Sequence, residues 1–223
     1  FLPKKIIFCS KNSIKLHSKI GYQSKKMEFV PNGYDLQKFR PTHFDNLILK
    51  KSILKKKGIP LLGCVARFHP QKEHKNLLQA LNILKQDKIL FKCILVGFKM
   101  NKNNKILSNM IEKLNLNKEI ILLGPQTKIN KIMSLIDIHI LSSKYGEAFP
   151  NVVAEAMASG TPCIVTDVGD SSSIVGKTGW IVRPGNSKEL AQNIKKAIKK
   201  LKSKNWDYLR LSARKRIVSN FSL

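Results

Sequence analysis

The sequence predicts an α/β fold, a parallel sheet covered by helices on both faces. Three observations carry this. Short apolar runs alternate with amphipathic stretches along most of the 223 residues. The runs are rich in Ile, Val and Leu and lack polar alternation, as strands buried on both faces require. The alternation is regular, which predicts right-handed strand–helix–strand crossovers and hence parallel neighbours.

Taken in order, "KIIFCS" reads as a strand, followed by a helix from about Lys11 to Ile20. With "KMEFVPNGYDLQKFRP" these form a small separate unit, and "DNLILKKSILKKKG" is the candidate linker. A buried strand follows at 59–66. In the next stretch, "EHKNLLQALNILKQ", Leu77, Leu78, Leu81 and Leu84 fall on one helical face. Strands in "FKCILVGF", "EIILLG", "IHILSS" and "PCIVTD" then alternate with helices in "KILSNMIEKLNL", "TKINKIMSLID" and "NVVAEAMASG". After a short strand in "TGWIVRPG", either Asn186 or Ser187 caps a helix with Glu189 in its first turn. A last helix covers "NWDYLRLSARKRIVSNF".

Hydrophobic residues make up 43% of the chain, enough for a substantial core. No run approaches the roughly 20 apolar residues that cross a bilayer, and no signal-peptide pattern is present. The chain opens on Phe1 and moves straight into a strand, so it is expected to begin within a longer protein. Cys9, Cys64, Cys93 and Cys163 are widely spaced, and buried thiols in a reducing cytoplasm explain them better than metal or redox roles. The net charge of +27 admits three readings: a solvated lysine surface, attraction to an anionic membrane, or nucleic-acid binding. Lysine outnumbers arginine 35 to 6, and Lys, Ile and Asn make 77 of 223 residues, as an AT-rich genome would produce. Proteins that read nucleic acid lean on arginine, which weighs against that reading.

In a parallel α/β sheet, ligands bind beyond the carboxyl ends of the strands. Glu147 lies in such a loop, directly after "IHILSS". Pro150 suits the first turn of the next helix, leaving the amides of Phe149, Asn151 and Val152 as a phosphate site. Glu155 follows one turn on. A carboxylate beside phosphate is unfavourable unless it holds hydroxyls or cations, so the pair implies a polyol next to a phosphate, as in a nucleotide sugar. Arg67, just after its strand, and Lys72, near the start of a helix, suit a diphosphate. Charge-assisted hydrogen bonds contribute roughly 1.5 to 3 kcal/mol each, so two cations and a helix end suffice without a metal. The sequence holds no metal-ligand cluster, and His69 and His74 read as surface or capping residues.

"VARFHPQKEHKNLLQA", "YGEAFPNVVAEAMASGTPCIVTDVG" and "FVPNGYDLQKFRP" together resemble retaining glycosyltransferases of family 4, across about 10–201. That family has the GT-B fold of two facing Rossmann-like domains. The resemblance implies that 1–42 is the end of an N-terminal acceptor domain with the interdomain crossover. It makes 43–204 the nucleotide-sugar-binding Rossmann-like domain of the C-terminal half, and 205–223 a helix returning towards the N-terminal domain, whose bulk is expected to lie outside this chain.

By the same resemblance Arg67 and Lys72 bind the donor diphosphate and stabilise its departure. Glu147 contacts the donor sugar and Glu155 the ribose. Amides from Phe149 to Val152 hold sugar and phosphate, Pro125 and Gln126 border the base, and Asn32, Gly33 and Asp35 form the crossover. Transfer with retention, by front-face departure, needs no cofactor and no metal. Ser171 to Ser173 stand after the glycine turn where many relatives have an acidic residue, which puts a carboxylate role there in doubt. The implied partners are a nucleoside-diphosphate sugar, a glycan or lipid-linked acceptor, and an anionic membrane surface, with no nucleic acid. The implied setting is cell-surface polysaccharide or lipid-linked glycan synthesis, in the cytoplasm or at the inner face of the plasma membrane. Alone, the chain is expected to bind donor weakly and transfer little. Competing readings are another GT-B enzyme, such as a nucleotide-sugar epimerase or glycan phosphorylase, and a basic nucleic-acid-binding module.

Overall fold

The computed structural model describes residues 3–42, 50, 53–54 and 58–223. The expected linker, 45–58, and the boundary at 43 lie largely outside the described residues.

Two sheets are present among these residues. β1 (Ile6–Phe8) and β2 (Met27–Phe29) pair in parallel around α1 (Lys11–Lys19), the strand and helix the sequence predicts at the front of the chain with a second strand after them. The second sheet has six parallel strands: β3 (Leu61–Val65), β4 (Lys92–Val96), β5 (Ile120–Gly124), β6 (Ile138–Leu141), β7 (Cys163–Thr166) and β8 (Trp180–Val182). Their order is β5-β4-β3-β6-β7-β8. The chain therefore winds outward from β3 to β5, returns to the other side of β3, and winds outward again. The winding reverses between β3 and β6.

Handedness explains where the helices lie. Right-handed crossovers in opposite directions put helices on opposite faces. α2 (His74–Gln86) and α3 (Lys105–Lys113) cover one face, joined by α7 (Ser187–Leu201). Leu77, Leu78, Leu81 and Leu84 of α2 are fully buried there against Leu62, Cys64 and Leu95. α4 (Ile129–Leu135), α5 (Asn151–Ala158) and α6 (Ser171–Val175) cover the other, over Leu61, Val65, Leu141, Cys163 and Val165. Burying one such side chain contributes roughly 1.5 to 3 kcal/mol, so the α2 leucines alone account for a large share of that interface.

α8 (Trp206–Phe221) runs past the edge of these layers. Its Trp206 and Leu209 join the first core, and its Ala213 and Ile217 the second. Half-buried Arg214 donates to the carbonyls of Phe39 (2.8 Å), Leu36 (3.3 Å) and Ala158, the last in α5. Arg210 donates to Gly160 O at 3.0 Å and Arg216 to Ile174 O at 2.7 Å. Three of the six arginines thus complete carbonyls at the carboxyl ends of α5 and α6, which the helices themselves leave unbonded.

One local expectation changes. Pro150 is the N-cap of α5 and not a first-turn residue, with φ −72° and ψ 97°. Its extended ψ turns the chain out of the loop, and helical geometry starts at Asn151. The serine-rich segment after β7 forms α6, because Ile174 and Val175 bury in the core while Arg216 holds its last carbonyls. At α7 the cap is Asn186, whose Oδ1 accepts from Glu189 N at 3.0 Å.

Candidate functional site

The reversal of winding sets the loops after β3 and β6 at the usual place for a ligand in such sheets. Here the loops are tied together. Gln71 Nε2 donates to Gly146 O at 2.7 Å, Lys144 N to Gln71 O at 2.8 Å, and Ser142 Oγ to Lys72 O at 2.9 Å. The Glu147 loop is fixed from behind by Gly169. With φ +61°, a Cβ on Gly169 would stand 2.1 Å from Glu147 O, so only glycine fits.

Within this frame Lys72 ends a short turn, Pro70–Lys72, and forms an ion pair with Glu147. Ser143 Oγ donates to the same carboxylate oxygen. The two side chains are only 15% and 7% exposed, so this is a largely desolvated pair. Arg67 leaves the end of β3 exposed, with no hydrogen-bond or ion-pair partner among the described residues. His69 is exposed and caps the turn, its Nδ1 accepting from Gln71 N at 3.3 Å.

His74 is not the surface or capping residue expected. It is 3% exposed, stacks on Phe68 with centroids 5.4 Å apart, and burial and then Lys72 push its pKa down to about 4. His139, in β6, is fully buried, and burial and then Lys72 push it down to about 3. Both are neutral, and neither has a protein hydrogen-bond partner on its ring nitrogens.

The second part of the site is the start of α5. No side chain caps it, so its first amides, from Asn151 and Val152, point outward. The Phe149 ring is buried between Tyr34 (6.5 Å, stacked) and Phe221 (5.4 Å, edge-on), so only its backbone faces the start of the helix. The Asn151 side chain is already engaged. Its Oδ1 accepts from Asn32 Nδ2 and from Tyr34 Oη, each at 2.7 Å. Val152 is half-buried and packs on the core.

Glu155, also half-buried, opens with Asn151 into a cleft lined by Asn32, Tyr34 and Lys38. Burial raises its pKa, opposed by Lys38. Burial, and next Glu155, raises the Tyr34 phenol above its ordinary value.

The crossover residues divide by role. Asn32 reaches the site. Gly33 lies against Leu223, whose Cδ2 would be 2.5 Å from an added Cβ. Asp35 serves its own turn, its Oδ1 accepting from Gln37 N at 2.8 Å and Lys38 N at 3.0 Å, and these bonds lower its pKa. Gln126 is exposed after β5, where its Nε2 donates to Leu123 O at 2.8 Å.

A carboxylate does occupy the turn after β7, one residue before the serines. Asp170 accepts from Lys11 N at 2.7 Å and Asn12 N at 3.0 Å, which satisfies the amino end of α1. Among the described residues, no cluster of three or more His, Cys, Asp or Glu could hold a metal, and no helix is long and apolar enough to cross a membrane.

Residues 45–215 match the family model described as "Glycosyl transferases group 1". The chain belongs to that family. It is 28% identical over 154 residues to the UDP-Gal:alpha-D-GlcNAc-diphosphoundecaprenol alpha-1,3-galactosyltransferase of Escherichia coli, covering 67% of this chain and 39% of that protein. It is 29% identical over 172 residues to the D-inositol 3-phosphate glycosyltransferase of Nocardia farcinica (strain IFM 10152), covering 73% and 38%. The chain thus spans about two fifths of the length of these relatives.

A glycosyltransferase from Rickettsia africae ESF-5 superposes with a TM-score of 0.89 at 25% identity, covering 99% of this chain and 60% of that one. Anabaena Alr3699/HepE, solved with UDP-glucose, gives 0.88 at 23% identity, which speaks for the fold. This group 1 glycosyltransferase chain therefore has the expected architecture, a Rossmann-like parallel sheet covered by helices, like its GT-B glycosyltransferase neighbours.

Sequence reasoning missed Tyr34, Ser143, His139 and Asp170, which the structure places in or beside the candidate site. Tyr34 lies inside the "NGYD" segment that was singled out, and Ser143 four residues before Glu147. Neither position carries a periodic signal, because their partners are 117 residues away for Tyr34 and on a loop for Ser143.

Proposed function

We propose that this chain is the donor-binding half of a retaining glycosyltransferase, which moves a sugar from a nucleoside-diphosphate sugar to a glycan or lipid-linked acceptor. The observation that carries the reading is the set of groups gathered at the winding reversal. The carboxyl ends of β3 and β6 there lead into Arg67, which has no partner among the described residues, the Lys72–Glu147 pair and the uncapped start of α5. Cations and free amides suit a diphosphate, and buried carboxylates suit hydroxyls. The Escherichia coli relative is named for a UDP-Gal donor, which favours a uridine nucleotide as the first probe.

In this reading Arg67, Lys72 and the amides of Phe149, Asn151 and Val152 hold the diphosphate. Glu147 accepts hydrogen bonds from the donor sugar, and Glu155 from the ribose. The bond from the anomeric carbon to the phosphate oxygen breaks while the acceptor hydroxyl attacks from the same face and passes its proton to the departing oxygen. Charge accumulates on the leaving diphosphate, and preorganised donors around it lower the barrier. Glu147 is ion-paired in a desolvated frame, which fits a hydroxyl clamp better than an acid/base role. The polysaccharide and lipid-linked setting, at the inner face of the plasma membrane, accords with the acceptor named for the same relative.

The test is calorimetric titration of the protein with UDP-galactose, UDP-glucose and GDP-mannose. At least one binds, and Arg67→Ala and Glu155→Ala each weaken it roughly 10- to 100-fold, the loss of one charge-assisted contact. A folded protein that takes none of the three overturns the proposal.

A further inference from the structure

We infer that the Lys72–Glu147 pair makes the site discriminate an intact sugar nucleotide from the spent nucleoside diphosphate. The inference rests on the donor-site reading above and goes beyond it, because the pair couples two subsites that the reading treats separately. In the unliganded molecule, the ammonium assigned to the diphosphate and the carboxylate assigned to the sugar neutralise each other in a nearly dry setting. Each is the other's main partner; the remaining hydrogen bond to the carboxylate comes from Ser143.

A nucleoside diphosphate alone draws Lys72 towards phosphate and brings further negative charge close to Glu147. The carboxylate then keeps only Ser143. Its backbone cannot carry it out to water, since Gly169 packs on that backbone and Gln71, Ser142 and Lys144 tie its loop to that of Lys72. A buried carboxylate left short of donors is unfavourable, so bare diphosphate binds weakly. A donor sugar changes the balance. Its hydroxyls donate to Glu147 as Lys72 turns to the phosphates, so both partners are satisfied at once. After transfer that sugar is gone, Glu147 reclaims Lys72, and product release is favoured.

The test measures Kd for UDP and UDP-galactose, and for GDP and GDP-mannose as a second pair, by calorimetry on wild type, Glu147→Gln and Ser143→Ala. Glu147→Gln removes the competing charge, so the diphosphate alone binds about tenfold tighter while the sugar nucleotide does not gain. The ratio of the two constants therefore moves by about tenfold or more. Ser143→Ala strips the last donor from the carboxylate and moves the ratio the opposite way, with UDP weakened more than UDP-galactose. A ratio unchanged in both variants, or Glu147→Gln weakening UDP, overturns the inference and leaves the donor-site reading standing. Wild type that binds no probe overturns both. Circular dichroism verifies folding; if Glu147→Gln fails to fold, the shift with Ser143→Ala decides alone.

Discussion

Replacing Arg214 by lysine probes how the last helix supports the site. The guanidinium reaches three carbonyls at once, on Leu36, Phe39 and Ala158, and so joins the crossover, α5 and α8. A lysine keeps the charge but presents a single ammonium, which can serve one of these groups well and leaves about two half-buried carbonyls unmatched. At roughly 1 to 2 kcal/mol for each lost bond, Arg214→Lys destabilises the fold by about 2 to 4 kcal/mol. A chain of this size loses about 2 to 4 °C of Tm per kcal/mol, so the expected drop is about 5 to 15 °C. Differential scanning calorimetry measures it, with Arg183→Lys as the control. Arg183 is 78% exposed and pairs with Glu189 at the surface, where such a pair contributes little, so the control melts within about 2 °C of wild type. If Arg214→Lys melts as the control does, the reasoning fails.

Further outcomes follow from the same contacts. His74 and His139 stay neutral in the folded chain while the unfolded chain takes protons below about pH 6.5, so stability falls as the pH drops from there towards their folded values of about 4 and 3. The slope reaches about 1.4 kcal/mol per pH unit for each histidine, and urea titrations of wild type and His139→Gln between pH 7 and 5 should show it roughly halved in the variant. Burial raises the Glu155 pKa, so its ionisation weakens the fold as the pH climbs above the ordinary carboxylate range. Glu155→Gln is accordingly more stable than wild type at pH 8, with the gap in Tm closing towards pH 4. Asp170→Ala frees the first amides of α1 at a loss of about 1 to 2 kcal/mol. Hydrogen exchange then accelerates at Lys11 and Asn12, while the β3 to β8 amides keep their protection.

The sheet and its helices were legible because burial writes itself into the chain with a period. Leu77, Leu78, Leu81 and Leu84 mark one face of α2, and Ile138 to Leu141 an unbroken buried run. Strand order is not periodic, so the reversal of winding beside β3 had to come from pairing. In the site, residue types on the carboxyl side of strands pointed to Arg67, Lys72, Glu147 and Glu155, yet the sequence could not show that Lys72 and Glu147 hold each other. Nor could it separate Asn32, which reaches Asn151, from Asp35, which serves a local turn three residues on. His74 read as a surface residue because histidine has no strong burial preference, and the Phe68 stack that covers it lies six positions back along the chain.

Tyr34 is held from the far end of the chain: its N–H donates to Phe221 O at 2.9 Å, its carbonyl accepts from Leu223 N at 3.3 Å, and its ring stacks on Phe149 beside Phe221. That arrangement sets a schedule for biosynthesis. The six-stranded sheet has all its strands once Val182 leaves the ribosome, and its layers can begin to settle. The cleft at Asn151 has to wait about forty residues longer, until the last turn of α8 emerges and pins the crossover. A nascent chain stalled anywhere in that interval would carry all six strands while the cleft at Asn151 still lacked its last support.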